Sequence, residues 1–354
     1  MDDMGLYQAL ALHLDEFPQG FPATKSGKEL ELLAYLFTPD EAQFATRLSL
    51  DYKLLDEVSE TIGISSSEGR QLVKAMAKKG LINFRRGEEG FEVSLLPFVV
   101  GFFERQAGRM DANFARLFED YYQEAAKDLF SIEPHFHRVI PVNETIDFGI
   151  EILPQDDIGV ILSRKKAWAV VDCVCRKQKS LLGEGCDHPL RACLVMSDTP
   201  GVFDNIPQME ALDLPSALAV LKQAARAGLV HTIANQKKDI SYICNCCTCS
   251  CGILRGIAEA GIANVVAKSA YYAVVDEPIC VACGNCQLFC QFGAITIEDV
   301  ALIDPVACVG CGICVANCPE DAIKLFHRDL NEIQPVPDTE GDWLSRRAEW
   351  RKGI

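Results

Sequence analysis

The sequence predicts an α+β multidomain protein, on three observations. Apolar residues recur at helical spacing through the first quarter of the chain, and short apolar runs that end in cysteine follow in the middle. Near the C-terminus one cysteine pattern is written twice, 28 residues apart. These features divide the 354 residues into a helical region at 1–135, a mixed α/β cysteine-rich region at 136–270, the repeated segment at 271–328 and a tail at 329–354.

Composition narrows the function classes. A hydrophobic content of 49% with 24% charged residues is that of a soluble globular protein. The net charge of −16 argues against general affinity for nucleic acid or an anionic membrane, and it suits docking on a basic face of a redox partner. The longest apolar stretch, Phe91 to Phe103, is too short to span a bilayer and contains Glu92 and Pro97, so no transmembrane segment is expected. Seventeen cysteines, an odd count at metal-ligand spacings, follow an opening Met1-Asp2-Asp3-Met4 with no signal pattern. Both features predict a reducing, cytoplasmic, oxygen-poor setting.

The first region carries no cysteine. Leu30 to Phe37 is apolar at helical spacing, and Thr38-Pro39-Asp40-Glu41 supplies an N-cap, a first-turn proline and an early acid for the next helix. A third helix is expected over about Lys53 to Thr61. Ser65 to Glu68 has the form of a capping box opening a fourth, which stops at Gly80. Leu81 to Phe84 and Phe91 to Leu95 flank a charged, glycine-containing turn and predict a hairpin. Helices followed by a small hairpin look like a winged helix-turn-helix, and Arg70, Lys74 and Lys78 form one basic stripe on the fourth helix. Seven basic and seven acidic residues between Asp51 and Gly90 leave no net positive field to collect phosphates, which disfavours DNA binding. The greasy Leu95 to Phe103 segment is expected to pack between domains or against another subunit. Phe114, Leu117, Phe118, Tyr121 and Tyr122 line a further helix as core, while His135 and His137 read as structural.

In the middle region, Ala167 to Val171 predicts a buried strand that delivers Cys173 and Cys175 at its end. Cys186 and Cys193 follow across a glycine-rich loop, with Arg176, Lys177, Lys179 and Arg191 nearby to offset thiolate charge, and the four cysteines can close one site. A denser group, Cys244, Cys246, Cys247, Cys249 and Cys251, is expected between a strand and the N-terminus of a helix over Ile253 to Glu259. Thiolates so close repel one another unless a metal neutralises them. Nine cysteines can serve one or two further iron-sulfur clusters, with zinc as the lesser alternative. His188 reads as a loop histidine bonded to backbone, and Leu214 to Gly228 as a scaffold helix.

The repeat reads Cys280-x-x-Cys283-x-x-Cys286-x-x-x-Cys290 and again Cys308-x-x-Cys311-x-x-Cys314-x-x-x-Cys318-Pro319. Asp276 matches Asp304, Gly284 matches Gly312, and Ala294-Ile295 matches Ala322-Ile323 in the same register. Three thiolates on one tight loop fit three corners of an iron-sulfur cube, and the fourth cysteine points to the second cube. The assignment is therefore Cys280, Cys283, Cys286 and Cys318 to one cluster, and Cys308, Cys311, Cys314 and Cys290 to the other. A pair of zinc sites is the alternative, but a third cysteine on the same loop fits a cube better than a tetrahedron. Over about residues 271–328 the sequence resembles the bacterial dicluster ferredoxins, which implies two [4Fe-4S] clusters of low potential in a ferredoxin-like domain. One departure is visible: Gln291 follows Cys290 where Pro319 follows Cys318.

No nucleophile with an adjacent base, phosphate loop or dinucleotide fingerprint stands out, so no catalytic residue is assigned. The expectation is an electron-transfer iron-sulfur subunit of a cytoplasmic oxidoreductase complex, docking on a flavin- or metal-containing redox partner. Two alternatives are a redox-responsive winged-helix regulator and a reductase that binds substrate at an unusual central cluster. Trp343 and Trp350, seven residues apart in the tail, are expected on one helical face that packs on a partner or on the chain itself.

Overall fold

A computed structural model describes residues 3–142, 156–262 and 265–353. It is mixed α and β and falls into two compact units. One comprises Met1–Ile132, Lys177–Glu184 and Arg347–Ile354, and the other Glu133–Arg176 and Gly185–Arg346.

The first unit contains α1 (Asp3–Asp15), α2 (Lys28–Leu36), α3 (Pro39–Ala45), β1 (Lys53–Leu54), α4 (Leu55–Thr61), α5 (Ser66–Lys78), β2 (Ile82–Arg86), β3 (Phe91–Leu95) and α6 (Ala112–Phe130). The capping box expected at Ser65 forms, and the N-cap at Thr38 is a capping box as well. The Thr38 hydroxyl accepts from the Glu41 amide at 3.3 Å while the Glu41 carboxylate accepts from the Thr38 amide at 2.9 Å, and Ser65 with Glu68 repeats the exchange at 3.3 and 2.8 Å. The expected hairpin is present as β2 and β3, in a sheet of order β1-β3-β2. Helix α4 begins later than expected because Lys53 and Leu54 pair with Val93 and Glu92 of β3. The segment around Phe98 differs more. It is part of this unit's own core, with the Phe98 ring 5.0 Å from Phe21 and 5.5 Å from Tyr121, and Phe103 stacked on Phe118 at 4.0 Å. The aromatic stripe of α6 supplies the apolar surface that the segment needs.

The second unit contains β4 (His137–Val139), α7 (Ile158–Ser163), β5 (Ala167–Asp172), the start of α8 (Val174–Leu181), β6 (Arg191–Ser197), β7 (Met209–Leu212), α9 (Leu214–Arg226), β8 (Val230–Ala234), β9 (Tyr242–Cys246) and α10 (Gly256–Glu259). It continues through β10 (Tyr271–Val275), α11 (Asn285–Phe289), β11 (Ile295–Ile297), β12 (Ala301–Ile303), α12 (Ile313–Ala316) and β13 (Ile323–His327) into α13 (Glu340–Lys352). Six antiparallel strands form one sheet in the order β4-β8-β9-β6-β5-β7. Val170, Leu194, Ile233 and Ile243 bury one side of it against Ile161 of α7 and Leu221 of α9. Helix α9 is opened by Asp213, whose carboxylate accepts from the Ser216 amide at 2.8 Å.

The repeated segment builds two small antiparallel pairs, β10 with β13 and β11 with β12. In the tail helix Trp343 is buried, with its indole N–H donated to the His135 carbonyl at 2.9 Å, whereas Trp350 is 47% exposed. No helix among the described residues is long and apolar enough to cross a membrane.

Candidate metal centres

The repeated segment coils each cysteine run by the same backbone device. Ala282 and Gly310 take φ values of 52° and 71°, and Gly284 and Gly312 take 79° and 75°, so the chain turns left-handed twice between the first and third cysteines of each run. The two copies also hold one another: the Asp276 amide donates to the Ala322 carbonyl at 2.7 Å and the Asp304 amide to the Ala294 carbonyl at 2.8 Å. This crosswise exchange carries each run's fourth cysteine to the other loop. One cavity is lined by Cys280, Cys283, Cys286 and Cys318, and another by Cys308, Cys311, Cys314 and Cys290.

Both cavities fit an anionic cluster by their donors. The Ala294 amide points at the Cys290 sulfur at 3.4 Å, the Ala322 amide at Cys318 at 3.3 Å, and the Ala301 amide at Cys280 at 3.4 Å. Amide donors favour thiolate over thiol. Burial works the other way, pushing Cys311 up to about 12 and raising Cys286 and Cys314. Only a cation lets such buried sulfurs ionise together. Gln291, the departure from the repeat, has its own task. It donates to the Gly228 carbonyl at 3.1 Å and accepts from the Thr248 hydroxyl at 2.7 Å, which ties the end of the first cysteine run to the dense central cysteine loop.

The nine central cysteines divide differently from the expected grouping. Six of them close a ring. All six thiols are free, and each has two of the others as its side-chain neighbours: Cys173 neighbours Cys175, then come Cys251, Cys246, Cys244 and Cys193, and Cys193 returns to Cys173. Three neighbouring strands assemble it: Cys173 follows β5, Cys193 sits on β6, and Cys244 and Cys246 share one face of β9. Hydrogen bonds from Cys175 and Cys193 hold Cys173 well below the usual thiol range, while bonding to neighbouring thiols is the first cause raising Cys175, Cys193, Cys244 and Cys246.

Cys186 does not join that ring. Its sulfur lies 4.0 Å from that of Cys247, and Cys186, Cys247 and Cys249 form a triplet whose sulfurs are all within 4.8 Å of one another. The reason is chain path: Cys186 lies in the loop between α8 and β6, and Cys247 and Cys249 lie beyond the end of β9. The expected helix N-terminus is not at these cysteines either, because α10 opens only at Gly256.

Of the four basic residues expected around the central thiols, the structure places Arg176 against them. Lys179 pairs with Glu119 at 3.3 Å and Glu184 at 2.6 Å, and Arg191 with Asp172 at 2.9 Å and Glu210 at 3.2 Å. Arg176 is buried, donates to the Asn245 carbonyl at 2.9 Å and lies 3.9 Å from the Cys247 sulfur. Burial works against its charge, but Cys173, Cys193 and Cys247 outweigh it and hold the guanidinium protonated. Among the described residues its Nε and Nη2 have no hydrogen-bond acceptor, and such orphaned donors beside a thiol ring fit an anionic sulfur cluster there.

His137, expected to be structural, lies beside the ring. A ring nitrogen lies with the Cys244 and Cys246 sulfurs inside a 4.8 Å triplet, its Nδ1 is 3.2 Å from the Thr232 hydroxyl, and burial pushes its pKa down to about 3. Only the pairing of β4 with β8 and of β8 with β9 brings it there, and no local spacing could have announced it. His188, as expected, hydrogen bonds backbone, at Ala227.

Residues 279–323 match the family model of the 4Fe-4S dicluster domain. Comparison with curated proteins and with solved structures yields no match. The matched stretch contains the repeated cysteines and the loops that coil them, which supports a ferredoxin-type domain in the C-terminal region.

Proposed function

We propose that this protein is an electron-transfer subunit of a cytoplasmic oxidoreductase complex, relaying single electrons through two ferredoxin-type [4Fe-4S] clusters and at least one further cluster in the six-thiol ring. The observation that carries the reading is the crosswise pair of cavities, each gathering three cysteines of one run and the last of the other. When bound, the clusters supply one-electron chemistry. The chain's own residues do the rest: cysteines ligate, the Ala294, Ala301 and Ala322 amides stabilise thiolate, and Arg176 offsets the charge of the ring. Gln291, the residue after Cys290, fixes the two regions against one another through its bond to Thr248. The partner is a flavin- or metal-containing redox protein with a basic docking face, to match the net charge of −16.

Anaerobic iron, sulfide and zinc analysis with EPR on the full chain tests this. Iron and sulfide for more than two cubes support the relay; zinc in place of iron at the eight repeated cysteines removes it. A second reading, a redox-responsive winged-helix regulator, is favoured by α5, where Arg70, Lys74 and Lys78 are all exposed beside the hairpin β2–β3. Salt-dependent, sequence-selective DNA binding by the holoprotein would select it over the relay.

A further inference from the structure

The two groups of central cysteines differ in shape. Ring thiols interact with their neighbours one after another around a loop, and among the described residues no three of their sulfurs draw together within 4.8 Å. The sulfurs of Cys186, Cys247 and Cys249 do. A tetrahedral ion with metal–sulfur bonds of about 2.3 Å requires sulfurs about 3.8 Å apart, and the Cys186 to Cys247 separation is 4.0 Å. A cube needs room for four metals and four sulfides between its ligands, and the ferredoxin thiols stand around such concave sites, three from one run and the last from the other.

We propose that Cys186, Cys247 and Cys249 hold one thiophilic divalent ion of the zinc class, with the fourth coordination position open to an exchangeable water or an incoming thiol. Charge is compatible with this stoichiometry: three thiolates carry three negative charges, a divalent ion cancels two, and buried Arg176, 3.9 Å from the Cys247 sulfur, faces the remaining one while it also faces the ring thiols Cys173 and Cys193. Access supports the open position, because Cys249 is exposed while Cys247 is buried behind it. The neighbouring groups do not close the site. Ser250 lies 3.4 Å from the Cys186 sulfur as a hydrogen-bond partner, and His188 bonds the Ala227 backbone. Three protein ligands and one labile position distinguish a reactive zinc site from a structural one, and soft thiolates select such an ion. The site is independent of the iron-sulfur reading.

The test uses the full chain, purified without oxygen from zinc-supplemented medium. Expected are about one zinc per chain and a zinc X-ray absorption spectrum with three sulfurs at about 2.3 Å and one light atom, the light atom giving way to a fourth sulfur when 2-mercaptoethanol is added. Cys249→Ser and Cys186→Ser should each lower zinc at least tenfold on the order-of-magnitude scale of a lost ligand, while iron, sulfide and the ferredoxin EPR signals stay at the wild-type level. Absence of zinc from the wild-type protein, a four-sulfur shell before thiol is added, or loss of iron and sulfide in either variant overturns the proposal. The absorption measurement needs no variant, so a variant that misfolds does not remove the test.

Discussion

Replacing Gly310 by alanine should unseat one of the two ferredoxin loops. Gly310 lies between Cys308 and Cys311 with φ of 71°, and a Cβ placed there would sit 2.1 Å from the Tyr271 carbonyl oxygen and 2.2 Å from the Ser269 hydroxyl oxygen. Neither neighbour can yield freely. Tyr271 pairs with His327 at the start of β10, and the Ser269 hydroxyl donates to the Gly310 carbonyl at 2.8 Å. The left-handed backbone costs an alanine about 1–2 kcal/mol, and forcing a methyl against fixed backbone costs about 1–3 kcal/mol more, for a total of about 2–5 kcal/mol. The repeat provides a control, since Ala282 occupies the equivalent place 28 residues earlier with φ of 52°. Ala282→Gly should therefore stabilise, by about 0.5–1 kcal/mol after the entropy of glycine is counted. Anaerobic urea titration followed by cluster absorbance and EPR spin integration measures both. A Gly310→Ala protein with full iron and an unchanged urea midpoint would refute the close-approach argument.

Cys318→Ala should empty the cavity that holds Cys280, Cys283 and Cys286, lowering iron by about four per chain while the cluster signal of the Cys308 run persists; retention of iron would mean that the fourth ligand comes from elsewhere. Arg176→Met should make the central centre harder to reduce, because removing a nearby unit charge at an effective dielectric near 20 is worth about 2–3 kcal/mol, or about 100 mV; redox titration of the non-ferredoxin EPR signal reads it, and an unchanged potential counts against Arg176 as the counter-charge. His231 is held neutral, with burial pushing its pKa down to about 4, so its contribution is present above its ordinary value of 6.5 and is lost as pH falls from there towards 4. His231→Gln should flatten that part of the stability profile, which otherwise falls by up to about 1.4 kcal/mol per pH unit in urea titrations, and an unchanged slope would assign the acid loss to other groups.

What could be read from the chain alone follows the range of the interactions involved. The N-cap at Thr38, the capping box at Ser65 and the hairpin after Gly80 rest on contacts within a few residues, and all form. The 28-residue register was equally plain, because a repeat declares its own pairing. The central ring was not. Its members come from β5, β6 and β9, whose adjacency is a property of the sheet order, so Cys173 and Cys175 meet Cys193 but part from Cys186. His137 meets Cys244 through two strand pairings, and the Phe98 segment found its apolar surface on α6, outside any local window. Gln291 showed in the sequence as a missing proline, but its bond to Thr248 required the fold.

In β9, Cys244 and Cys246 flank Asn245, which is fully buried and hydrogen bonds His231 and the Ala192 carbonyl. A strand displaced by one residue would present the amide where the sulfurs belong and drive both sulfurs among the amide's partners. On the proposed function, in which the ring holds a cluster, metal loading would act as a proofreader of alignment in the middle of the sheet: a misthreaded chain would not bind, and a loaded chain would not slip. Maturation and quality control would then be a single event, and the unloaded polypeptide would be the form that surveillance proteases meet first.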